Sequence, residues 1–313
     1  MTFHDAVARI AGRLEAAGLA YGQGFEDAHD EALRIAYAGA ALNPATDISA
    51  DSDRPDFDLE DGAVSRMDEI AGMRIASRRP LAYILNEAWF CGSRFYVDER
   101  AIIPRSYLAE WIPERFQPWV VPERVESVLD LCCGTGCVAI CCAMAFPHAS
   151  IVASDLSADA LEVASRNVAD YGLEDRIRLN RGDRFEGIGE RFDLIVCNPP
   201  YVSKDRMSTL PDEYRHEPEI AFAAGVDGLD FILRMLAEAN GYLTSHGIIV
   251  VESGSASEKL EQALDGIPFI WLGTEFDEKA VFLLEAGQLK AARDGILQLI
   301  QSRTRLTRKG DGR

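Results

Sequence analysis

The chain has 313 residues, of which 48% are hydrophobic and 27% charged, and its formal net charge is −19. This is the composition of an ordinary water-soluble globular protein, and the length allows two domains or one large domain with an appendage. No apolar run approaches the ~20 residues of a membrane helix, and no signal peptide opens the chain, so we expect a cytoplasmic protein with no membrane partner. The acidity argues against binding to duplex nucleic acid, and it either favours basic partners or serves solubility alone.

Helical periodicity marks the first part of the chain. Apolar residues recur at helical spacing over residues 3–14 and 64–75, and small residues predict a helix over 28–42. Residues 44–62 are acidic and turn-rich, which predicts a surface loop. We therefore expect a small helical N-terminal domain over residues 1–87.

Residues 88–120 change character. Aromatic, β-prone residues lie on both sides of Gly92-Ser93, which predicts a hairpin, and a short helix is expected around Leu108 to Phe116. We interpret residues 88–120 as a hairpin and linker.

From residue 121 onward, strand and helix patterns alternate. Strands are predicted at 127–132, 151–154, 177–179, 192–197, 247–252, 269–272 and 280–284, with helices at 137–145, 158–171, 228–243 and 255–264. This alternation implies parallel βαβ units, so residues 121–289 are predicted to form an α/β domain with a doubly wound, mostly parallel sheet. Residues 290–313 form a basic C-terminal tail, which we interpret as a frayed terminus rather than an RNA contact.

Five of the seven cysteines crowd into one stretch, namely Cys132, Cys133, Cys137, Cys141 and Cys142. Such clustering suggests metal ligation, but no C-x-x-C pair and no nearby histidine completes a tetrahedral set. We expect no metal, and we predict that these cysteines are small buried residues where a strand meets a helix.

A glycine loop follows the first of these strands. Residues 134–139 match G-x-G-x-x-A, a pattern that lets the backbone approach a nucleotide-like ligand. Asp130 precedes the loop, where methyltransferases place a carboxylate near the methionine end of their cofactor. Asp155 ends the next strand, where a carboxylate can accept hydrogen bonds from both ribose hydroxyls of a nucleotide-like cofactor. The alternative role for Asp155 is a helix N-cap. Asp183 follows the third strand, and in methyltransferases of this kind that turn flanks the adenine of the cofactor. The glycine pattern alone leaves NAD open.

The next strand ends in Asn198-Pro199-Pro200-Tyr201, which favours nitrogen methylation. Amide and arylamine nitrogens are poor nucleophiles because their lone pair is delocalised. The Asn198 side chain and the Pro199 carbonyl can each accept one N–H of an NH₂ group and stabilise the charge that develops during transfer. Tyr201 can stack on the planar group. A simple turn is the alternative for the tetrapeptide alone, but its place at the fourth strand favours the functional interpretation.

The chain resembles the protein-(glutamine-N(5)) methyltransferases over nearly its whole length. The resemblance is carried by the glycine loop, by Asn198 to Tyr201, and by the segments 86–92, 95–100, 104–106 and 210–219. These segments are most similar to the branch that acts on the third protein of the large ribosomal subunit, uL3. The resemblance implies a Rossmann-like class I methyltransferase fold, an N-terminal domain that recognises the substrate, and S-adenosylmethionine as cofactor, with S-adenosylhomocysteine as product.

The resemblance also implies roles for individual residues. The expected cofactor contacts, with Asp130 included from the strand pattern, are Asp130, Cys132, Cys133, Gly134, Thr135, Gly136, Asp155, Asp183, Arg184 and Asn198. The expected substrate contacts are Asn198, Pro199, Pro200, Tyr201, Glu217 and Pro218, of which Asn198, Pro199 and Tyr201 are assigned to catalysis. His216 is interpreted as positional because this chemistry needs no general base before transfer. Relatives often have Gly or Thr where this chain has Cys132-Cys133.

Three other functions remain open at this point. Peptide chain release factors are the substrates of the neighbouring branch, which typically has Pro-Arg-Pro-Asp-Thr-Glu where this chain has Pro-Arg-Ser-Tyr-Leu-Ala at 104–109. A DNA methyltransferase for exocyclic amino groups uses a similar nitrogen grip but needs a cationic surface for phosphates. A non-catalytic ribosome-assembly factor would not require the intact glycine loop and tetrapeptide.

Overall fold

The structure, a computed structural model, describes residues 1–43 and 56–310, with side chains as far as residue 305. The larger part of the predicted acidic loop, residues 44–55, lies outside the described residues. Each of the two compact units described next has its own hydrophobic core.

The chain divides into two compact units. The first unit comprises Met1–Arg105 and Leu210–Glu217, and the second comprises Ser106–Thr209 and Pro218–Arg313. The division after Arg105 falls inside the segment 88–120 that we interpreted as hairpin and linker. The four sequence-based domain ranges stay predictions.

The first unit contains the three helices expected from the sequence, which are α1 (Phe3–Ala16), α2 (Ala28–Gly39) and α3 (Asp61–Ser77). It also contains a short helix that was not predicted, α4 (Leu81–Leu85). Side chains cap the first two helices: Thr2 accepts the N–H of Asp5, and Asp27 accepts those of His29 and Asp30. Such caps satisfy N–H groups that a helix leaves unpaired at its start. The apolar faces form one core, with Ile10, Leu14, Ile35 and Met67 fully buried.

The predicted hairpin also belongs to the first unit. Strand β1 (Ala88–Phe90) pairs antiparallel with β2 (Ser93–Phe95), and Phe90 lies opposite Ser93 across the turn. Positive φ angles of 47° at Cys91 and 69° at Gly92 form that turn. The aromatic run on either side of Gly92 therefore does form a tight hairpin.

Residues 210–217 are held in the first unit by buried charges. The Glu213 carboxylate accepts the backbone N–H of Ala20 at 3.0 Å and pairs with Arg78 at 2.6 Å. Nearby, the buried Arg74 guanidinium donates to Glu31 at 2.7 Å. Burial raises the pKa of Glu31, although Arg74 opposes the shift. Buried carboxylates need such partners because desolvation strongly disfavours an unpaired charge.

A seven-stranded sheet forms the centre of the second unit. Its strands are β3 (Ser127–Leu131), β4 (Ser150–Asp155), β5 (Ile177–Arg181), β6 (Phe192–Cys197), β7 (Leu243–Glu252), β8 (Ile270–Leu272) and β9 (Val281–Glu285). The order across the sheet is β5-β4-β3-β6-β7-β9-β8, in which the first five strands are mutually parallel and β9 is antiparallel to both neighbours. The predicted mostly parallel, doubly wound sheet is confirmed.

The helices of the second unit are α5 (Leu108–Trp111), α6 (Cys137–Ala145), α7 (Ala158–Asp170), α8 (Lys204–Met207), α9 (Asp230–Ala239), α10 (Ser257–Ala263) and α11 (Ala286–Gly310). The cysteine-rich helix α6 is apolar on nearly every face, and four of the five clustered cysteines are buried, with Cys132 partly so. Within residues 1–43 and 56–310, His, Cys, Asp and Glu form no group that could hold a metal ion. The predicted burial is confirmed for Cys133, Cys137, Cys141 and Cys142.

The predicted basic tail is part of α11, whose Leu289 and Ile296 are buried. Arg303 donates to both carboxylate oxygens of Asp227, at 2.8 and 2.6 Å, and this bidentate pair lowers the pKa of Asp227. The helix is therefore anchored at Arg303 rather than frayed there. Across the described ranges, no helix has the length and apolar character needed to cross a bilayer.

Candidate active site

The predicted site residues of the second unit gather at one edge of the sheet. Leu131 of β3 is in register with Ser154 of β4 and with Cys197 of β6, and Cys197 is in register with Val251 of β7. The residues that follow these positions therefore lie together at the carboxyl ends of four adjacent parallel strands. Open α/β sheets bind their ligands at this edge, where the strand order reverses.

The glycine loop turns sharply between β3 and α6. Its φ angles are positive at Cys132 (61°), Gly134 (52°) and Gly136 (77°). A Cβ on Gly136 would lie 3.2 Å from the Cβ of Ala164 on α7, so the glycine also permits close helix packing. The loop is fixed further by Asn167, whose side-chain amide donates to the Thr135 carbonyl at 2.9 Å. A rigid loop of this kind can present backbone N–H groups to a ligand.

Asp130 is buried beneath this loop. It is 1% exposed, and its Oδ2 accepts the backbone N–H of Ala139 in the first turn of α6 at 2.9 Å. Burial raises its pKa well above the ordinary value, and the nearby Asp155 carboxylate raises it further. Asp130 thus ties the strand to the helix, and its contact with the cofactor stays a prediction.

Asp155 ends β4 and faces the glycine loop. Its Oδ2 accepts the N–H of Gly134 at 2.9 Å, and its Oδ1 accepts that of Ser157 at 2.8 Å. The N-cap of α7 is Ser157, whose Oγ accepts the N–H of Ala160, so Asp155 does not serve as the cap. Burial raises the pKa of Asp155. Each carboxylate oxygen can accept more than one hydrogen bond, which leaves capacity for a pair of hydroxyls.

Asp183 and Arg184 follow β5. The Arg184 guanidinium donates to both oxygens of Asp183, at 2.8 and 2.7 Å, and also reaches Glu238 on α9 at 3.3 Å. Arg184 has a φ of 54°, so this turn is tight. The pair forms a fixed polar rim beside the end of β5, and its contact with adenine stays a prediction.

The tetrapeptide Asn198 to Tyr201 follows β6 directly, and Pro199 is buried while the other three residues are partly buried. The next residue, Val202, anchors the segment by pairing with residues 222–224: its N–H donates to the Phe222 carbonyl at 2.9 Å, and its carbonyl accepts the N–H of Ala224 at 3.0 Å. Two prolines and this short ladder restrict the backbone of the tetrapeptide, so its carbonyl groups have fixed directions.

Glu217 and Pro218 fall on either side of the division between the units, with Glu217 in the first and Pro218 in the second. The buried Glu217 carboxylate binds the Arg105 guanidinium at 2.8 and 3.0 Å, and it also accepts from the Gln23 side chain and the Ile103 N–H. Glu217 is therefore part of a hydrogen-bond network within the first unit. Its role in substrate binding, and that of Pro218, stay predictions.

One acidic residue at this edge of the sheet was missed from the sequence. Glu252 ends β7, is 2% exposed, and accepts hydrogen bonds from the Tyr201 hydroxyl, the Ser106 hydroxyl and the Tyr107 N–H. The sequence did contain a signal for this residue, because a carboxylate directly follows the apolar run Ile248 to Val251. Burying a charge in that position is costly unless the charge is hydrogen-bonded, so a carboxylate there indicates a site with specific hydrogen-bond partners.

Comparisons with known proteins give the family. A family model described as Methyltransferase small domain matches residues 116–210. The ribosomal protein uL3 glutamine methyltransferase of Bordetella pertussis is 44% identical, with 92% of this chain and 96% of that protein covered. Those of Burkholderia pseudomallei and Neisseria meningitidis serogroup A are 41% and 42% identical, with 93% and 92% of this chain and 96% and 94% of theirs covered. The chain thus belongs to the family of ribosomal protein uL3 glutamine methyltransferases.

Proposed function

We propose that the protein transfers a methyl group from S-adenosylmethionine to the side-chain amide nitrogen of a glutamine in ribosomal protein uL3. The observation that carries the proposal is the placement of Asn198-Pro199-Pro200-Tyr201 at the carboxyl end of β6, on the strand next to the glycine loop, in a chain of this family.

The residues at this edge of the sheet suit the cofactor. The turn from Cys132 to Gly136 has the positive φ angles of a nucleotide-binding loop, and the Asp155 carboxylate retains acceptor capacity for the two ribose hydroxyls. Asp183 and Arg184 form the rim on the expected adenine side. S-adenosylmethionine, when bound, supplies an electrophilic methyl group on a sulfonium. We assign Asn198 to the binding of both the cofactor and the substrate.

The tetrapeptide suits an amide nitrogen. The NH₂ group of glutamine offers two N–H donors, which the Asn198 side-chain carbonyl and the Pro199 backbone carbonyl can accept. Both carbonyl oxygens stabilise the positive charge that develops on the nitrogen during methyl transfer. They also orient the nitrogen before the transfer begins. Tyr201 provides an aromatic face for the planar amide. No side chain has to remove a proton first, because the nitrogen becomes acidic only after it has gained the methyl group.

The choice of uL3 rests on the family, whose members named above carry that substrate in their names. The net charge of −19 supports a basic, RNA-binding protein as partner and argues against duplex DNA. We expect the reaction to take place in the cytoplasm, where ribosomal proteins are made.

A labelling experiment tests the substrate. The purified protein is incubated with methyl-labelled S-adenosylmethionine and, separately, with uL3, a peptide chain release factor and duplex DNA. We expect label only in uL3, on a glutamine that mass spectrometry identifies. Label confined to the release factor or to DNA would contradict the proposal, and so would an absence of label in all three.

A substitution tests the role of Asn198. Asn198→Ala is expected to lower turnover by at least about 10²-fold, because both orientation and charge stabilisation are lost, while calorimetry shows S-adenosylmethionine binding largely retained. Asn240→Ala, before the amino end of β7 at the opposite edge of the sheet, is the matched control and should keep full activity. Turnover of Asn198→Ala within a few fold of the control would remove Asn198 from its assigned role.

A further inference from the structure

Glu252 joins two segments that lie far apart in the sequence. Its Oε1 accepts the hydroxyl of Tyr201 at 3.0 Å. Its Oε2 accepts the hydroxyl of Ser106 at 2.5 Å and the backbone N–H of Tyr107 at 2.9 Å. One buried carboxylate at the end of β7 therefore binds both the tetrapeptide and the turn that leads into α5.

These hydrogen bonds are of a strong kind. A carboxylate that accepts from hydroxyl and amide donors forms charge-assisted bonds, which are shorter and stronger than neutral ones. Glu252 is 2% exposed, so water competes little for these positions. Removing the carboxylate would leave buried donors without their acceptor, which is costly.

Gly254 fixes the Tyr201 ring from a second direction. A Cβ on Gly254 would lie 2.7 Å from Cε2 and 2.8 Å from Cζ of that ring. The ring therefore packs against the bare backbone of Gly254, which has a φ of 42°. The hydroxyl of Tyr201 is held by Glu252 and its ring edge by Gly254, so the ring has one orientation.

We infer that Glu252 is a positioning residue, which holds the Tyr201 ring and the Ser106–Tyr107 turn in the one arrangement that receives the glutamine amide. The inference rests on the proposed function. Glu252 acts through Tyr201 and Ser106, whereas the glycine loop and Asp155 lie on other strands. Loss of Glu252 should therefore impair productive binding of the amide and leave the binding of S-adenosylmethionine intact.

The test uses the full-length protein with uL3 and labelled S-adenosylmethionine. Glu252→Gln keeps the size of the side chain but replaces one acceptor oxygen by an NH₂ group, which is itself a donor and cannot accept from the donors that Glu252 binds. We expect kcat/KM for uL3 to fall at least about tenfold, while the dissociation constant of S-adenosylmethionine stays within about twofold. Glu285→Gln is the matched control, since Glu285 also ends a strand of the sheet but is exposed. It should behave as the wild type.

A double-mutant cycle separates positioning from general damage. If Glu252 acts through Tyr201, Glu252→Gln combined with Tyr201→Phe should lower kcat/KM no further than the more harmful single change. Fully additive losses, a wild-type kcat/KM in Glu252→Gln, or a parallel loss of cofactor affinity would each overturn the inference.

Two further variants keep the test decisive if Glu252→Gln does not fold. Tyr201→Phe removes only the hydroxyl that Glu252 accepts, and Ser106→Ala removes the other hydroxyl. Each should lower kcat/KM for uL3 without weakening cofactor binding, and wild-type kinetics in both would overturn the inference. A wild-type protein that labels no uL3 refutes the proposed function instead, so the two failures are distinguishable.

Discussion

Gly228 supports the tetrapeptide through its missing side chain. Its φ is 92°, and a Cβ there would lie 2.4 Å from the carbonyl oxygen of Tyr201. We predict that Gly228→Ala displaces the Tyr201 backbone, lowers stability by about 1–3 kcal/mol and lowers turnover of uL3 more than tenfold. Gly241→Ala is the control, since a Cβ there meets nothing within 4 Å among the described residues. Equal turnover of the two variants in the labelling assay would contradict the prediction.

We expect the buried Asp130 to make the stability of the protein depend on pH. Burial raises its pKa well above the ordinary 3.8, so the folded chain keeps this proton at pH values where the unfolded chain has lost it. The contribution of Asp130 to stability is therefore greatest below pH ~4. It falls as the pH rises through the raised pKa, by about 1.4 kcal/mol for each pH unit that separates the unfolded pKa from the folded one.

The Asp130→Asn variant isolates this contribution. It cannot titrate and still offers an oxygen to the Ala139 N–H. We predict that the free energy of unfolding of the wild type, minus that of the variant, falls as the pH rises above about 4 in urea titrations, and that it levels off once the pH has passed the raised pKa of Asp130. A difference that is constant, or that rises with pH, would show that burial does not govern this carboxyl.

Single residues were predictable from the sequence where they belong to a contiguous pattern. The glycine loop, Asp155 and the tetrapeptide each follow a recognisable strand, so their shared edge of the sheet follows from the alternation of strands and helices. Glu252 and Ser106 were not found as a pair, because their hydrogen bond joins residues that lie 146 positions apart in the sequence. Only the tertiary structure brings such residues together.

At the scale of elements, most helices and strands were predicted because their apolar periodicity is strong. The sequence predicted a doubly wound sheet but not the order of its strands. The antiparallel position of β9 between β7 and β8 is seen only in the structure. The return of residues 210–217 to the first unit was missed. Its anchors are buried charges, Glu213 and Glu217, and in sequence such residues are indistinguishable from an exposed acidic turn.

The anchoring of this segment can be tested at Glu217. Glu217→Ala leaves the Arg105 guanidinium and the Ile103 N–H without their buried acceptor. We predict a loss of about 3 kcal/mol in the free energy of unfolding of the first unit, with faster hydrogen exchange over residues 210–217. The exposed Glu219→Ala should change stability by less than about 0.5 kcal/mol. If both variants unfold at the same urea concentration, the ion pair with Arg105 is not the anchor.

For the whole molecule, charge is the property that the sequence predicts most directly, because it is a sum that needs no structure. The value of −19 left solubility and basic partners equally open. The family membership now makes a ribosomal protein the proposed partner, and such proteins carry cationic residues that bind RNA phosphates. We therefore expect the acidity to affect the kinetics, because the summed field of the protein would raise the rate at which a cationic substrate meets it.

Salt should weaken this encounter but not the chemistry. Raising the salt concentration from about 50 to 500 mM shortens the Debye length from roughly 14 to 4 Å, which screens the attraction between exposed charges. We predict that kcat/KM for uL3 falls at least about tenfold over this range, through KM, while kcat changes less than about twofold. A short uncharged peptide that carries the same glutamine is the control and should show little salt dependence. If the peptide and uL3 lose kcat/KM equally, salt acts on the active site itself, and the net charge serves solubility rather than substrate encounter.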